Sequence, residues 1–564
     1  MKQRIVPVLV LVVGLLMAFH PTLLSGFGRL QTDLGDTRLN NYLLEHGWRC
    51  LSGEPGVRLW HPPFFHPAPN ALAYSDLLLS FGPLYWPWRA MGLGEVLSFQ
   101  LWMIGIAISN FVVGYLFLRR AMGFDRLGAA LGSFMISFAA ARVGQLVHQQ
   151  LFPIVFVIGA LWAAVSMTRS AAAGAARGRD RWAPFALFGC LLAQLYGGYY
   201  NFAFMLAILA LALLAALAVP RWRRALADVL AAHWRAIAAA GCLALLLALP
   251  ATTHYLETAG TVRTRAVTAA FDMLPRIASY AYLSNRSWWY GWMTDLPPFG
   301  GLPVRHEHAI GLGLLTTVCL LWTAWLNRNS QAVRLAATVM LLLALLTTMF
   351  PGGVQLWTVF YRVFPPFQGL RAVSRLWMLL AIPAGIAVGW MVSRRGQGPR
   401  AALVIALAAL ACLEQGMTTR AIDVALVEAR TGELAAQVDG SAEAFLVVPR
   451  GKSKRGRSWH HLDAMWAARR SGVPTVNGYS GTLPPAWEFG ELQLSQEDGV
   501  DEARRLLAAW AATTGLDPSR IQVLVVDAAA LMPPEEPPRS SRPAPPRRSP
   551  AGRPRPERAR TPVP

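Results

Sequence analysis

Trp102-Met103-Ile104-Gly105-Ile106-Ala107-Ile108-Ser109-Asn110-Phe111-Val112-Val113-Gly114-Tyr115-Leu116-Phe117-Leu118 is an uncharged apolar run, and Arg119-Arg120 closes it. It is the body of a longer apolar segment, 95–118, and roughly 20 helical residues are enough to cross a bilayer's hydrocarbon core. A soluble core helix is seldom both so long and so apolar. The run therefore reads as a membrane span, and the paired arginines as its water-facing end.

Working outward, apolar runs recur along the first 417 residues, many of them separated by arginine-bearing turns. Spans are expected from Ile5 to about Leu24 and at roughly 95–118, 127–143, 152–168, 183–197, 201–219, 236–252, 309–326, 335–350, 376–393 and 401–417. The stretch 183–219 is split at Gly197-Gly198-Tyr199-Tyr200 because its 37 residues exceed one crossing. Phe19-His20-Pro21-Thr22 stands where a signal peptide would need small residues, so the first run reads as an uncleaved span. The expected fold class is an α-helical polytopic membrane protein of about eleven spans.

Composition agrees. Hydrophobic residues make up 54% of the 564 positions and charged residues 15%, against roughly 25% charged in soluble domains. The net charge of +21 sits in short loops and in the C-terminal tail, with no basic face and no recognition motif, so nucleic acid is not an expected partner. Four of the five cysteines lie inside apolar runs, which argues against a disulfide framework.

Arginine placement sets an orientation, since short cytoplasmic loops are enriched in Lys and Arg. With the N-terminus inside, the inside loops carry Arg119, Arg120 and Arg126; Arg169, Arg177, Arg179 and Arg181; Arg221, Arg223, Arg224 and Arg235; Arg328 and Arg334; and Arg394, Arg395 and Arg400. The short turns near 145–151 and 197–201 carry none. The membrane part, 1–417, then has long outer loops at 25–94, 253–308 and 351–375. A small α/β domain is expected outside over 418–530, with apolar strands at 444–448 and 521–526 and helical spacing over 460–471 and 501–514. The Pro- and Arg-rich stretch 531–564 is an expected disordered tail. Trp86-Pro87-Trp88 and Trp288-Trp289-Tyr290-Gly291-Trp292 fit interfacial anchoring, or sugar stacking.

Ionisable groups near membrane depth are the candidates for chemistry. The first outer loop holds Asp33-Leu34-Gly35-Asp36-Thr37-Arg38 and, further on, Asp76. Two carboxylates three apart share a helix face, where they could hold a divalent cation (Mg2+ or Mn2+), deprotonate a hydroxyl, or simply cap the helix near Leu39. Asp76 is a second acid or an N-cap, and His148 lies in a short outer turn. Arg371 and Arg375, at the mouth of span ten, could bind phosphate or snorkel to the interface. Arg263 opens the second long loop, as a further phosphate ligand or simply as part of a solvated loop. His306-Glu307-His308 has the wrong spacing for a zinc pair on one helix face.

Gly35-Asp36-Thr37-Arg38-Leu39-Asn40, Phe65-His66-Pro67-Ala68-Pro69-Asn70 with Tyr74-Ser75-Asp76, Pro366-Phe367-Gln368-Gly369-Leu370-Arg371 with Arg375, and Asn477-Gly478-Tyr479-Ser480-Gly481 together resemble YfhO-like bacterial membrane proteins. That group is usually placed near the GT-C superfamily of polytopic glycosyltransferases. The resemblance covers most of 1–530. It implies a bacterial inner-membrane enzyme that moves a sugar from a polyprenyl-phosphate carrier to an envelope glycan, lipid or protein, by inverting displacement. Asp36, with Asp33 and Asp76, would form the catalytic set, and Arg38, Arg371, Arg375, Arg263 and His148 would bind substrate or lipid phosphate. The acids stand three apart rather than adjacent as in many GT-C loops. A flippase for lipid-linked precursors and a non-catalytic assembly factor are the competing readings; no internal repeat supports the former.

Overall fold

A segment crossing lipid must satisfy its own backbone amides, so apolar runs of this length fold as helices. The computed structural model describes residues 2–174, 181–261, 266–450, 459–491 and 499–527. Six helices are long and apolar enough to cross a membrane: Ile5–Leu24, Glu95–Ala121, Gln149–Ala172, Tyr199–Ala218, Pro220–Thr261 and Val373–Arg395. Four shorter apolar helices join them: Ala183–Gly197, Leu314–Leu326, Gln331–Thr347 and Ala401–Leu413. Large apolar side chains stand outward, Leu245 72% and Leu321 64% exposed, as on a surface that lipid covers. The chain is a multi-pass membrane protein. The expected tail and Arg263 lie outside the described residues.

Three segments depart from the expected boundaries, each for a local reason. The expected turn at 220–235 is helical, inside the 42-residue helix Pro220–Thr261. Pro220 starts it, and the Ala- and Leu-rich stretch 225–232 propagates it despite the arginines. The expected span 127–143 breaks at Ala139 (φ −54°, ψ 142°) into Arg126–Phe138 and Ala140–Val143. Gln415 Oε1 accepts the freed Ala140 amide at 2.9 Å, so the break leaves that donor satisfied. Span ten begins with a 3-10 segment, Val373–Leu380, before the α-helix Ala381–Arg395. The expected split at Gly198 is present: it is extended (φ −168°, ψ 124°) between Ala183–Gly197 and Tyr199–Ala218.

Small residues let the helices close up. A Cβ built on Gly132 would meet the Gly385 carbonyl oxygen at 2.5 Å, so Arg126–Phe138 and Ala381–Arg395 pack backbone to backbone. The arginine-bearing turns are linked across the bundle. Arg169 donates to the Ala121 carbonyl, the Asp125 amide to Ser393 Oγ at 3.1 Å, and Trp222 to Gln331 Oε1 at 3.0 Å.

After the last apolar helix, Ile422–Asp423 pairs antiparallel with Arg29–Leu30. Ala444–Arg450 then runs parallel to Ile521–Asp527 in register Ala444 to Ile521, with Trp459–Ser471 and Gly499–Thr514 as its helices. These agree with the expected strands and helices of 418–530. The unit is not free-standing: Leu446, Val448, Trp466 and Trp487 share one apolar core with Leu39, Tyr42, Phe64 and Phe65 of the first loop. The loop also docks by main chain, the Phe65 amide on the Asn477 carbonyl at 2.9 Å and the Thr475 amide on the Pro63 carbonyl at 3.0 Å. Gly478 is required there, because a Cβ would overlap the Phe65 ring.

The dock is completed by buried charge. Arg38 pairs with Asp463 and donates to Thr431 Oγ1 at 3.1 Å, while Arg430 holds the other Asp463 oxygen at 2.7 Å. Removing one member of a buried pair costs roughly 3–5 kcal/mol. The Asp463→Ala protein is therefore expected to unfold at a clearly lower temperature in detergent, followed by tryptophan fluorescence. Glu502→Ala, which breaks only an exposed pair with Arg505, should leave that temperature unchanged.

Candidate active site

The site begins at the first turn of the helix Asp36–Leu51. Its N-cap is Gly35, which has no side chain to offer, and Asp33 supplies the cap instead. Asp33 Oδ1 accepts the Gly35 amide at 3.1 Å and the Thr37 amide at 3.4 Å. With the orphan donors so satisfied, the Asp36 carboxylate turns away from its own helix. Its Oδ1 accepts the Tyr479 hydroxyl at 2.7 Å, and its Oδ2 accepts His148 Nδ1 at 2.6 Å. The sequence pattern allowed both carboxylates to act together; the structure gives them separate tasks.

His148 follows the Ala139 break, and its turn is fixed to the first-loop helix by amide side chains. Gln149 Nε2 donates to Thr37 Oγ1 at 2.7 Å, and Asn40 Nδ2 to Gln149 Oε1 at 2.8 Å. On the far side of the ring, Nε2 faces an Arg375 nitrogen at 2.7 Å and Glu307 Oε1 at 3.6 Å. Arg375 grips Glu307 through two nitrogens, at 2.9 and 2.5 Å, the strong two-pronged geometry of a guanidinium on a carboxylate. Its guanidinium also lies 5.4 Å from the centre of the Tyr200 ring. The first loop, the 144–151 turn, the second and third long loops and the 477–481 segment thus meet at one cluster.

Burial works against the charge on Asp36, but the His148 and Tyr479 hydrogen bonds and the nearby cations outweigh it, and the carboxyl lies below its usual range. Burial and Arg375 oppose a proton on His148, yet Asp36 and Glu307 prevail and its pKa is raised. Glu307 is held well below the carboxylate range against its burial, first by the Arg375 charge and then by His148. Asp33 is raised, by burial first and then by the Asp36 charge. The Asp36 side chain is 22% exposed and that of Glu307 2%. Of the two ionised acids, Asp36 is the one a substrate can reach.

The other sequence candidates divide. Asp76 Oδ1 accepts the Tyr199 amide at 2.7 Å, which makes it the cap of the helix that starts after Gly198; burial pushes its pKa up to about 6. Arg371 is exposed, its amide donates to the Tyr200 hydroxyl at 3.2 Å, and its charge acts on Tyr479. Arg38 is not at the site at all, being buried against Asp463. Glu307 and Tyr479 were absent from the candidate set. Glu307 sits in the His306-Glu307-His308 triplet, whose spacing speaks against zinc, and Tyr479 in the Asn477–Gly481 motif, the one signal that points to it.

The donor set does not suit a divalent cation. Asp33 Oδ1 is spent on amides, and the groups around the Asp36 carboxylate are a histidine, a tyrosine hydroxyl and an arginine rather than further oxygen-ligand acids. Among the described residues no group of three or more His, Cys, Asp or Glu side chains is placed to hold a metal.

No protein-family model matches the chain, and no curated protein does. Among solved structures it is similar to the oligosaccharyltransferase AglB of Archaeoglobus fulgidus, in complex with an inhibitory peptide and a dolichol-phosphate, at 12% identity over 85% of this chain and 64% of that one, TM-score 0.47. It is also similar to the mycobacterial arabinofuranosyltransferase AftD (16% identity, 83% and 32% covered, TM-score 0.41). A third is ArnT of Cupriavidus metallidurans bound to undecaprenyl phosphate (13%, 93% and 90%, TM-score 0.39). The chain spans 62% of the length of an Archaeoglobus fulgidus oligosaccharyltransferase in complex with zinc and sulfate, to which it is also similar.

The Asp36–His148 contact sets a pH dependence. Because the folded pKa of His148 is raised, the stability it contributes is fully present below the unfolded value of about 6.5 and is lost as pH rises through the folded value. The melting temperature of the wild type should therefore fall more steeply than that of His148→Gln as pH is raised from about 6.5. Parallel slopes would show that the imidazole carries no charge in the fold.

Proposed function

We propose that the chain is a membrane glycosyltransferase of the GT-C kind, moving a sugar from a polyprenyl-phosphate carrier to a cell-envelope acceptor. The observation that carries this is the Asp36 carboxylate: ionised, partly open, and aimed by Tyr479 and His148 rather than by its own helix. Arg371, exposed and near enough for its charge to act on Tyr479, supplies accessible positive charge.

In this reading the acceptor hydroxyl donates a hydrogen bond to Asp36, each of whose oxygens keeps a free lone pair. The hydroxyl oxygen bonds to the anomeric carbon as the bond from that carbon to the carrier phosphate breaks. The bonding pair leaves with the phosphate, the configuration inverts, and the hydroxyl proton passes to Asp36. A carboxylate below its usual pKa is a weak base towards a resting hydroxyl. It takes the proton late, when attack has made that hydroxyl acidic, and meanwhile opposes the positive charge building on the sugar. Arg371 meets the departing phosphate through paired N–H donors. Arg375, neutralised by Glu307, orients His148.

The layout fits the same proposal. About eleven spans, a cytoplasmic N-terminus, and 418–530 outside the bacterial inner membrane as a separate domain would put all five contributing segments on one face. The linked arginine turns would lie on the other, as the charge rule requires.

Purified protein incubated with a panel of polyprenyl-phosphate sugars should release polyprenyl phosphate. Asp36→Asn should lower that rate by a factor of roughly 10²–10⁴ while inserting and melting as a folded protein. Tyr479→Phe, which removes one of two hydrogen bonds to the carboxylate, should lower it less. Full activity in Asp36→Asn would remove the mechanism.

A further inference from the structure

Beside the charge cluster lies a cavity of about 420 Å³ lined by Tyr282, Ser284, Asn285, Arg286, Arg305 and His306, among others. Ligand cavities commonly fall at roughly 300–1,000 Å³. Glu307 joins it to the site: His306 Nε2 lies 3.6 Å from Glu307 Oε1, and Glu307 lies 3.6 Å from His148, which holds Asp36.

The charge in this cavity is one-sided. Arg286 is half-buried and Arg305 is exposed. The Thr418 amide donates to the Arg286 carbonyl at 2.8 Å, which draws Arg420 close enough that its like charge weighs on Arg286, after burial. No carboxylate bridges these guanidinium groups among the described residues; Asp33 acts on Arg286 only at a distance, and Glu307 is committed to Arg375. Converging cations held without a counter-charge cost energy unless an anion occupies the space between them. The wall is also strained: Ser284 (φ +94°) and the β-branched Val304 (φ +37°) both sit in the left-handed region, a cost of order 1–3 kcal/mol each that recurs at ligand clamps.

We propose that this cavity binds the phosphate group of the acceptor, a phosphorylated sugar or glycolipid headgroup, and so delivers its hydroxyl to Asp36. The assignment to the acceptor rests on Asp36 being the base. In an inverting displacement the hydroxyl attacks from the face opposite the leaving phosphate, so an anion site on the base's flank serves the attacking partner. Arg286 and Arg305 take the phosphate oxygens, while Ser284 and Asn285 offer hydrogen bonds to neighbouring hydroxyls.

The test uses the full chain in phosphatidylcholine nanodiscs, with melting temperature as readout and glucose 6-phosphate against glucose as probes. The phosphate ester should protect and glucose should not. Arg305→Gln, at an exposed position, should weaken binding roughly tenfold, the scale of one charge-assisted hydrogen bond. Arg286→Gln should weaken it further. A second arm adds phosphatidic acid to the nanodiscs: protection there but not by the soluble ester assigns the phosphate to a lipid headgroup. Asp36→Asn should still bind, so binding without any sugar transfer would leave the cavity standing and remove the proposed reaction. Equal response to glucose and its phosphate with no effect of phosphatidic acid, or unchanged affinity in both arginine variants, overturns the proposal.

Discussion

Buried charge is tolerated only where every member has a partner, and the four groups Asp36, His148, Glu307 and Arg375 meet that condition only as a set. Glu307, 2% exposed, would be intolerable without Arg375, and the Arg375 guanidinium would be equally costly without Glu307. The four come from residues 36, 148, 307 and 375, with no pair near in sequence. No local preference can assemble them; the helices must be packed first. The interruptions elsewhere then acquire a purpose. The break at Ala139 redirects the chain into the turn that carries His148. The split at Gly198 places Tyr199 where Asp76 caps it, and the 3-10 start of Val373–Leu380 sets Arg375 opposite Glu307.

The first-loop helix works on two sides within three residues. Asp36 faces the cluster, while Arg38 faces the α/β unit and is gripped by Asp463 and Thr431. Since Tyr479, which holds Asp36, belongs to that unit, the Arg38 contact reaches the site without touching it. Docking of 418–527 thus positions one of the two hydrogen bonds on the carboxylate. The 63–66 and 475–477 main-chain contacts and the Gly478–Phe65 approach keep Tyr479 from drifting away. The segment is part of the site's construction as much as a covering over it.

Most of the apolar helices were legible because lipid imposes one demand, internal amide satisfaction over a fixed thickness, and long apolar runs report it directly. The strand at 444–450 was legible for a related reason: a strand buried on both faces is a short continuous apolar run; its half-buried partner 521–527 was legible by its β-branched residues. The boundary at 220–235 was not, because arginines mark a water-facing stretch without stopping a helix rich in Ala and Leu. At the site, Asp36 stood out by its place after the first span. Its division of labour with Asp33 did not, since a spacing of three puts both on one face whether or not the N-cap residue has a side chain. Glu307 and Tyr479 owe their importance to partners hundreds of residues away, and no periodicity encodes such a contact. Arg38 misled for the same reason, an arginine beside a catalytic candidate being indistinguishable in sequence from one that turns its back on it.

The ion pairing of Asp36 bears on how such a site could discriminate among acceptors. A carboxylate kept below its usual pKa by His148 gives up basicity, so proton removal alone supplies little driving force and the acceptor must be held for the attack by other means. Most of the cationic groups in the cluster are already spent on one another: Arg375 on Glu307, and His148 between two carboxylates. In the proposed reading, selectivity would fall to cations outside the cluster that still have charge to offer, Arg371 and the pair Arg286 and Arg305. A neutral acceptor would gain nothing from the second set, whereas an anionic one would be anchored by it with its hydroxyl beside Asp36. If the two proposals hold together, weak basicity at the centre and uncompensated positive charge at the edge would be two sides of one arrangement, in which binding energy from a remote anion does the positioning that a stronger base would not need.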